Sequence, residues 1–213
     1  MESVFQKIGV YYFFGILLTG TITLSVGIYL GLPITVISVD SEILKVILFF
    51  LESYLIGLVL QEISSMIDRR FLKITTIAAE TFLLPNNTIV TNPLELLKFQ
   101  KMANHMLGKQ GDDTNYEPNE QEYVYHSCIL FLEATGKDRK YQEIHSNYTL
   151  SRSLMVAFPV LSVFHLFCYK GQALHYDFIL LLLTFIFYSR FKNSVVYAVQ
   201  TALRYYCEIK DSA

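Results

Sequence analysis

Residues 43–61 read ILKVILFFLESYLIGLVLQ. An α-helix crosses the hydrocarbon core of a bilayer in about 20 residues, so this stretch is long enough to span one. Its only charges are Lys45 near the start and Glu52 near the middle. Residues 9–32, 153–169 and 173–189 are three more apolar stretches within the same range, roughly 17–25 residues. The cations between them fall on one side. Residues 33–42 contain no Lys or Arg, and the short turn between the last two stretches carries Lys170 alone. Arg69, Arg70, Lys73, Lys98, Lys101, Lys109, Lys137, Arg139 and Lys140 occupy the middle of the chain, and Arg190, Lys192, Arg204 and Lys210 the tail. Because Lys and Arg are retained on the cytoplasmic side, both termini and the middle segment are expected in the cytosol, with two tight hairpins outside. The expected fold is an all-α, multi-pass protein of the plasma membrane. It has four transmembrane helices, a cytosolic helical region between spans two and three, and a C-terminal cytosolic helix. The divisions are a first transmembrane hairpin at 1–63, the cytosolic region at 64–150, a second hairpin at 151–190 and the tail helix at 191–213.

Composition agrees with that class. A hydrophobic share of 53% with mean hydropathy +0.37 lies above the range of ordinary soluble domains. The first apolar stretch is too long for the core of a signal peptide and has no small-residue cleavage site before Pro33, so it is expected to be retained. A net charge of −2 excludes a global basic field, and any polyanion site has to be local. Cys128, Cys168 and Cys207 form no CxxC and no zinc-ligand spacing, and the two in the expected cytosolic segments, Cys128 and Cys207, are expected to be reduced packing residues. Trp is absent, and Tyr11, Tyr12, Tyr29, Tyr169, Tyr176 and Tyr188 take the interfacial positions.

Along the first span Gly15, Thr19, Thr23, Gly27 and Gly31 recur every fourth residue, a small-residue stripe that lets another helix approach closely. Its partner is either a helix of the same chain or one of a neighbouring subunit. The second span opens on Asp40, Ser41 and Glu42, which suit a helix N-terminus, and runs on through Arg70 without Gly or Pro. It is expected to continue as a stalk into a helix over 64–82. The fourth span continues likewise, with Val195, Val196, Val199, Ala202 and Leu203 at helical spacing. Two further helices are expected at 92–107, where Pro93 suits a first turn, and at 120–135. Residues 84–87 and 108–119 read as loops.

Glu52 is the sharpest functional signal, because an ionised carboxylate in mid-bilayer is costly unless it faces water or a partner. It reads as a pore or relay residue, or as a structural acid bonded to Thr19 or Thr23. Lys45, on the same helical face, either lines one polar path with Glu52 or snorkels to the outer surface. Arg152, where the third span enters, either pairs with Glu62 to clamp stalk to bundle or anchors at the headgroups. Pro159 is expected to kink the third span. Lys137, Arg139 and Lys140 with Tyr141 combine cations and stackable rings, as a nucleotide or single-strand site requires, or form a basic patch that attracts anionic lipid. Arg204 on the tail helix is a candidate for the same surface. Arg139 and His145 echo the Arg-spacer-His of HEPN-type ribonucleases, but Lys140 departs from that pattern. No HExxH, Gly-rich phosphate loop or nucleophile elbow is present, so no enzyme, cofactor or metal is expected.

Three segments carry a family resemblance: the exit of the second span as GLVLQEISS (residues 57–65), the Arg152-Ser153-Leu154 entry to the third, and the Phe187-Tyr188-Ser189-Arg190 exit from the fourth. In them the chain resembles the small four-span membrane effectors of bacterial anti-phage defence, the Hailong transmembrane effectors among them. The resemblance implies a homo-oligomeric ion channel of the bacterial inner membrane. It also implies that single-stranded DNA oligomers, made by a partner cytosolic nucleotidyltransferase, hold the channel shut, and that their loss opens it. Four short helices enclose little space, so a pore requires several copies, a tetramer being the expectation, and a ring of Glu52 would favour cations. The rival expectation is a non-conducting scaffold or sensor that recruits a cytosolic partner through the basic patch.

Overall fold

The computed structural model describes residues 2–32, 41–109, 114–169 and 174–211, without the side chains of 2–12 and 14. Seven α-helices carry them: α1 (Glu2–Tyr29), α2 (Glu42–Ile67), α3 (Ile74–Thr81), α4 (Pro93–Leu107), α5 (Pro118–Thr135), α6 (Arg139–Tyr169) and α7 (Leu174–Asp211). No strand occurs among the described residues. Three helical stretches, Glu42–Leu72, Arg139–Tyr169 and Leu174–Lys210, are long and apolar enough to cross a membrane, and Gly15–Tyr29 is a shorter apolar helix. The all-helical fold and these apolar helices fit a membrane protein. The expected outer hairpin at 33–40 and the turn with Lys170 lie outside the described residues.

The helix α6 is the centre of the bundle. Every residue from 151 to 158 is buried, because α1, α2 and α7 all pack on it. The small-residue stripe of α1 meets this helix of its own chain. A Cβ on Gly15 would sit 3.4 Å from Ser146 Oγ, and the Tyr169 hydroxyl donates to the Gly31 carbonyl at 2.7 Å. Gly31, with φ +68°, turns the chain out of α1. A second close approach falls outside the stripe. At the α1–α2 crossing, a Cβ on Gly20 would lie 1.6 Å from the Ser53 carbonyl oxygen, and one on Gly57 would lie 2.0 Å from that of Ile16. Only glycine lets these two backbones touch, which is how helices associate where lipid supplies no hydrophobic drive between them.

The expected stalk of α2 does leave the apolar stretch, but it ends sooner than the uninterrupted sequence suggests. After Ile67 the helix widens into a π-helical turn, Asp68–Leu72, and breaks at Lys73, which adopts φ 52° and ψ 25°. The fully buried Asp68 carboxylate holds the break. It accepts from Ile74 N at 3.0 Å and from the Thr75 hydroxyl, capping α3. The helices α4 and α5 form where Pro93 and Pro118 open them and where Gly108 and Gly136, both left-handed, close them.

The largest of the hydrophobic cores gathers Phe82, Leu83, Phe99, Val124 and Cys128 around Val195, Val199 and Leu203 of α7. The same α7 helix carries the fourth apolar stretch, so one rod belongs to both halves of the protein. A second rod is α6. It begins at Arg139 and runs unbroken to Tyr169, so the expected boundary between residues 150 and 151 falls inside a continuous helix.

Candidate functional site

Glu52 lies half-buried on α2 beside the Gly57 crossing and makes no hydrogen bond or ion pair among the described residues. Its two candidate partners are occupied on their own helix. Thr19 donates to the Gly15 carbonyl at 2.9 Å and Thr23 to that of Thr19 at 2.8 Å. Lys45 pairs with Glu42 at 2.7 Å, one turn back along α2, so its head group turns toward the helix start. Seven residues separate Lys45 from Glu52, about 10 Å of helix rise.

A layer of buried polar groups follows toward the C-terminal end of α2. Ser64 donates to the Gln61 carbonyl at 2.9 Å and lies 3.3 Å from Ser153 of α6, hydroxyl to hydroxyl. Arg152 is only 8% exposed, and its Nε has no hydrogen-bond partner. The guanidinium stands 5.9 Å from the centre of the Tyr148 ring, whose π-face attracts a cation. Burying an arginine without a carboxylate costs several kcal/mol, so this position is maintained against its own solvation. Glu62 is exposed, and the described residues contain no ion pair between it and Arg152.

Where the end of α6 meets the start of α7, the two helices share a cluster that the sequence reading did not single out. His165 Nδ1 lies 3.1 Å and 3.2 Å from the two Asp177 carboxylate oxygens, and Ser162 donates to Oδ1 at 3.1 Å. His165 is 2% and Asp177 5% exposed, with the rings of Tyr169 and Tyr176 packed on the imidazole. A buried acid–base pair inside an apolar hairpin is costly to assemble and marks a functional candidate by its placement alone. One sequence cue exists, since Asp177 is an acid in the first turn of a long apolar helix.

The cations of the middle segment and the tail divide by what holds them. Lys137 is exposed just before α6 and Arg139 and Lys140 on its first turn, and Lys140 pairs with Glu143 at 3.1 Å. Tyr141, beside them in sequence, points inward: it is 7% exposed, and its hydroxyl lies 3.2 Å from that of Tyr125. Arg204 binds the Glu95 carboxylate with two hydrogen bonds, Nη2 to Oε2 being 2.9 Å. Lys98, Lys101 and His105 of α4 and Lys210 near the end of α7 line a groove of about 310 Å³ beside Tyr206, and no acid lines it. Arg139 lies fourteen residues before Ser153, about 21 Å along α6, and Lys210 lies about 31 Å beyond Ser189 along α7. Burial in the same region pushes the Cys128 thiol up to about 12, leaving it a packing group.

Among the described residues no group of three or more His, Cys, Asp or Glu could hold a metal ion. No protein-family model matches the chain, and no curated protein or solved structure is detectably similar to it.

Proposed function

We propose that this chain is a homo-oligomeric, channel-forming membrane effector of four spans, gated through its cytosolic helices. The observation that carries the proposal is the continuity of α6 and α7. Each passes without a break from an apolar stretch into the cytosolic core. A ligand that changes how the cytosolic helices pack therefore moves the spans with them, provided it binds the open and closed packings unequally. The His165–Asp177 pair and the buried Arg152 place ionisable groups along the bundle, and Glu52, without a partner among the described residues, is free to face a pore between subunits. The resemblance to the Hailong effectors supports bacterial anti-phage defence in the inner membrane. It further suggests a single-stranded DNA oligomer or nucleotide as the closing ligand and a cytosolic nucleotidyltransferase as its source. Lys137 and Arg139 are exposed cations suited to that ligand's phosphates, whereas Tyr141 and Arg204 serve the protein's own packing.

Reversal potentials across a planar bilayer under a KCl gradient test the proposal. A cation-selective current in wild type that loses selectivity in Glu52→Gln is expected. A correctly assembled oligomer that passes no current would transfer the assignment to a non-conducting scaffold recruiting a cytosolic partner.

A further inference from the structure

Two adjoining cavities meet at Lys192, where α7 leaves the fourth apolar stretch. The upper one, about 240 Å³, lies between α3 and α7 and is walled by Ile74, Ile77, Ala78, Tyr188 and Val195. The lower one, about 500 Å³, is lined by polar groups, Thr88, Thr91, Asn193 and Gln200 among them. Lys192 lines both, and so do Thr88, Ile89 and Val196. Tyr188 is one helical turn nearer the apolar stretch than Lys192, so the apolar cavity is on the bilayer side and the polar one on the cytosolic side. That order, with apolar walls above a cation and hydrogen-bonding groups below, matches a phospholipid in the inner leaflet.

The charges around the cavities point the same way. Arg69, Arg70 and Lys73 at the foot of α2, and Arg190 and Lys192 at the foot of α7, are all exposed, and none forms an ion pair among the described residues. Farther from the bilayer, Lys109, Lys140 and Arg204 each have an acidic partner. The cations at the feet of α2 and α7 have no internal acid among the described residues, as Lys137 and Arg139 have none, and at the inner leaflet an anionic surface supplies that charge. Phe71 and Ile77 are exposed at the same level, 73% and 51%, as side chains in contact with acyl chains would be.

We infer that the groove between α3 and α7 binds an anionic phospholipid, its phosphate on Lys192 and its acyl chain against Ile77 and Ala78. The site rests on the proposed topology, in which the foot of α7 lies at the inner leaflet, and it is independent of conduction. Bound there, the lipid bridges α3 to α7 directly below the break at Lys73 and ties the packing of α3 to membrane composition.

Isothermal titration calorimetry on the full chain in a non-ionic detergent tests this, with dioctanoyl phosphatidylglycerol, dioctanoyl phosphatidylcholine and inorganic phosphate as separate titrants. Phosphatidylglycerol is expected to bind with saturation and phosphatidylcholine not. Lys192→Gln should weaken binding about fivefold, the effect of one cation at an anionic surface, Ile77→Ser should weaken it through the chain, and Lys101→Gln should leave it unchanged. Equal binding of the two lipids would overturn the inference. So would an unchanged affinity in Lys192→Gln, or inorganic phosphate displacing the lipid completely, which would mean a bare anion site. Because no current is measured, a protein that conducts yet ignores phosphatidylglycerol defeats only the lipid site, and one that binds it yet never conducts defeats only the channel.

Discussion

Gly57→Ala is expected to lower the unfolding temperature of the detergent-solubilised protein by several degrees. The added Cβ would stand 2.0 Å from the Ile16 carbonyl oxygen and 2.8 Å from its carbon. Carbon and oxygen meet at about 3.3–3.6 Å, so α1 and α2 have to separate by roughly 1.5 Å at the crossing. A gap of 0.5–1 Å already forfeits a quarter to a half of each dispersion contact worth ~0.1–0.2 kcal/mol, and over about 30 contacts the loss approaches 2 kcal/mol. That figure agrees with the ~1–3 kcal/mol typical of overpacking. In a protein of this size it corresponds to roughly 4–8 °C. Gly15→Ala is the control, because its Cβ would meet only the movable Ser146 hydroxyl at 3.4 Å. Removing a helix-interior glycine there should be neutral or stabilising by up to ~1 kcal/mol. Circular dichroism at 222 nm during a thermal ramp reads both variants. Gly57→Ala melting with wild type, or Gly15→Ala losing as much as Gly57→Ala, would refute the close crossing of α1 on α2.

Lys73→Gly should stabilise the cytosolic half, because a left-handed backbone costs a side-chain-bearing residue roughly 1 kcal/mol that glycine does not incur; a lowered midpoint in a urea titration would show that the turn is not left-handed. Asp177→Asn, which keeps the shape but removes the charge beside His165, should loosen the α6–α7 hairpin and shorten the lifetime of its amide protons in hydrogen exchange, whereas unchanged protection would show that the cluster does not hold the hairpin. A membrane-impermeant maleimide added outside intact cells should label Cys168, exposed near the C-terminal end of α6, and leave buried Cys128 and Cys207 untouched; labelling of Cys128 or Cys207 in intact cells, or of Cys168 only after lysis, would contradict the four-span topology.

The apolar stretches over α2, α6 and α7 were legible because length and composition alone identify a helix that can enter a bilayer. The start of α4 was legible too, since Asn92 caps and Pro93 opens it through local chemistry. The break at Lys73 was not. No Gly or Pro marks it, and the left-handed backbone is imposed by the buried Asp68 carboxylate, which binds Ile74 and Thr75 across the turn. Nor does sequence spacing reveal the start of α6 at Arg139, whose first turns are polar and gain their burial only from α5 and α7. The pair Gly20 and Gly57 escaped notice because each glycine is ordinary within its own helix, and their value lies in facing each other. The candidate ligand cluster at residues 137–141 combined the right residue types but not their orientation, as Tyr141 faces Tyr125 inside the protein. Asp177 and His165 are twelve positions apart across a hairpin, and only the packing of α6 on α7 joins them.

Ion flux from proteoliposomes loaded with a fluorescent ion reporter, measured with and without short single-stranded oligonucleotides on the cytosolic side, tests ligand-gated conduction most directly. The account predicts flux from the wild-type oligomer that the oligonucleotide suppresses and that Glu52→Gln alters. Absence of flux under both conditions from a correctly assembled oligomer would contradict it.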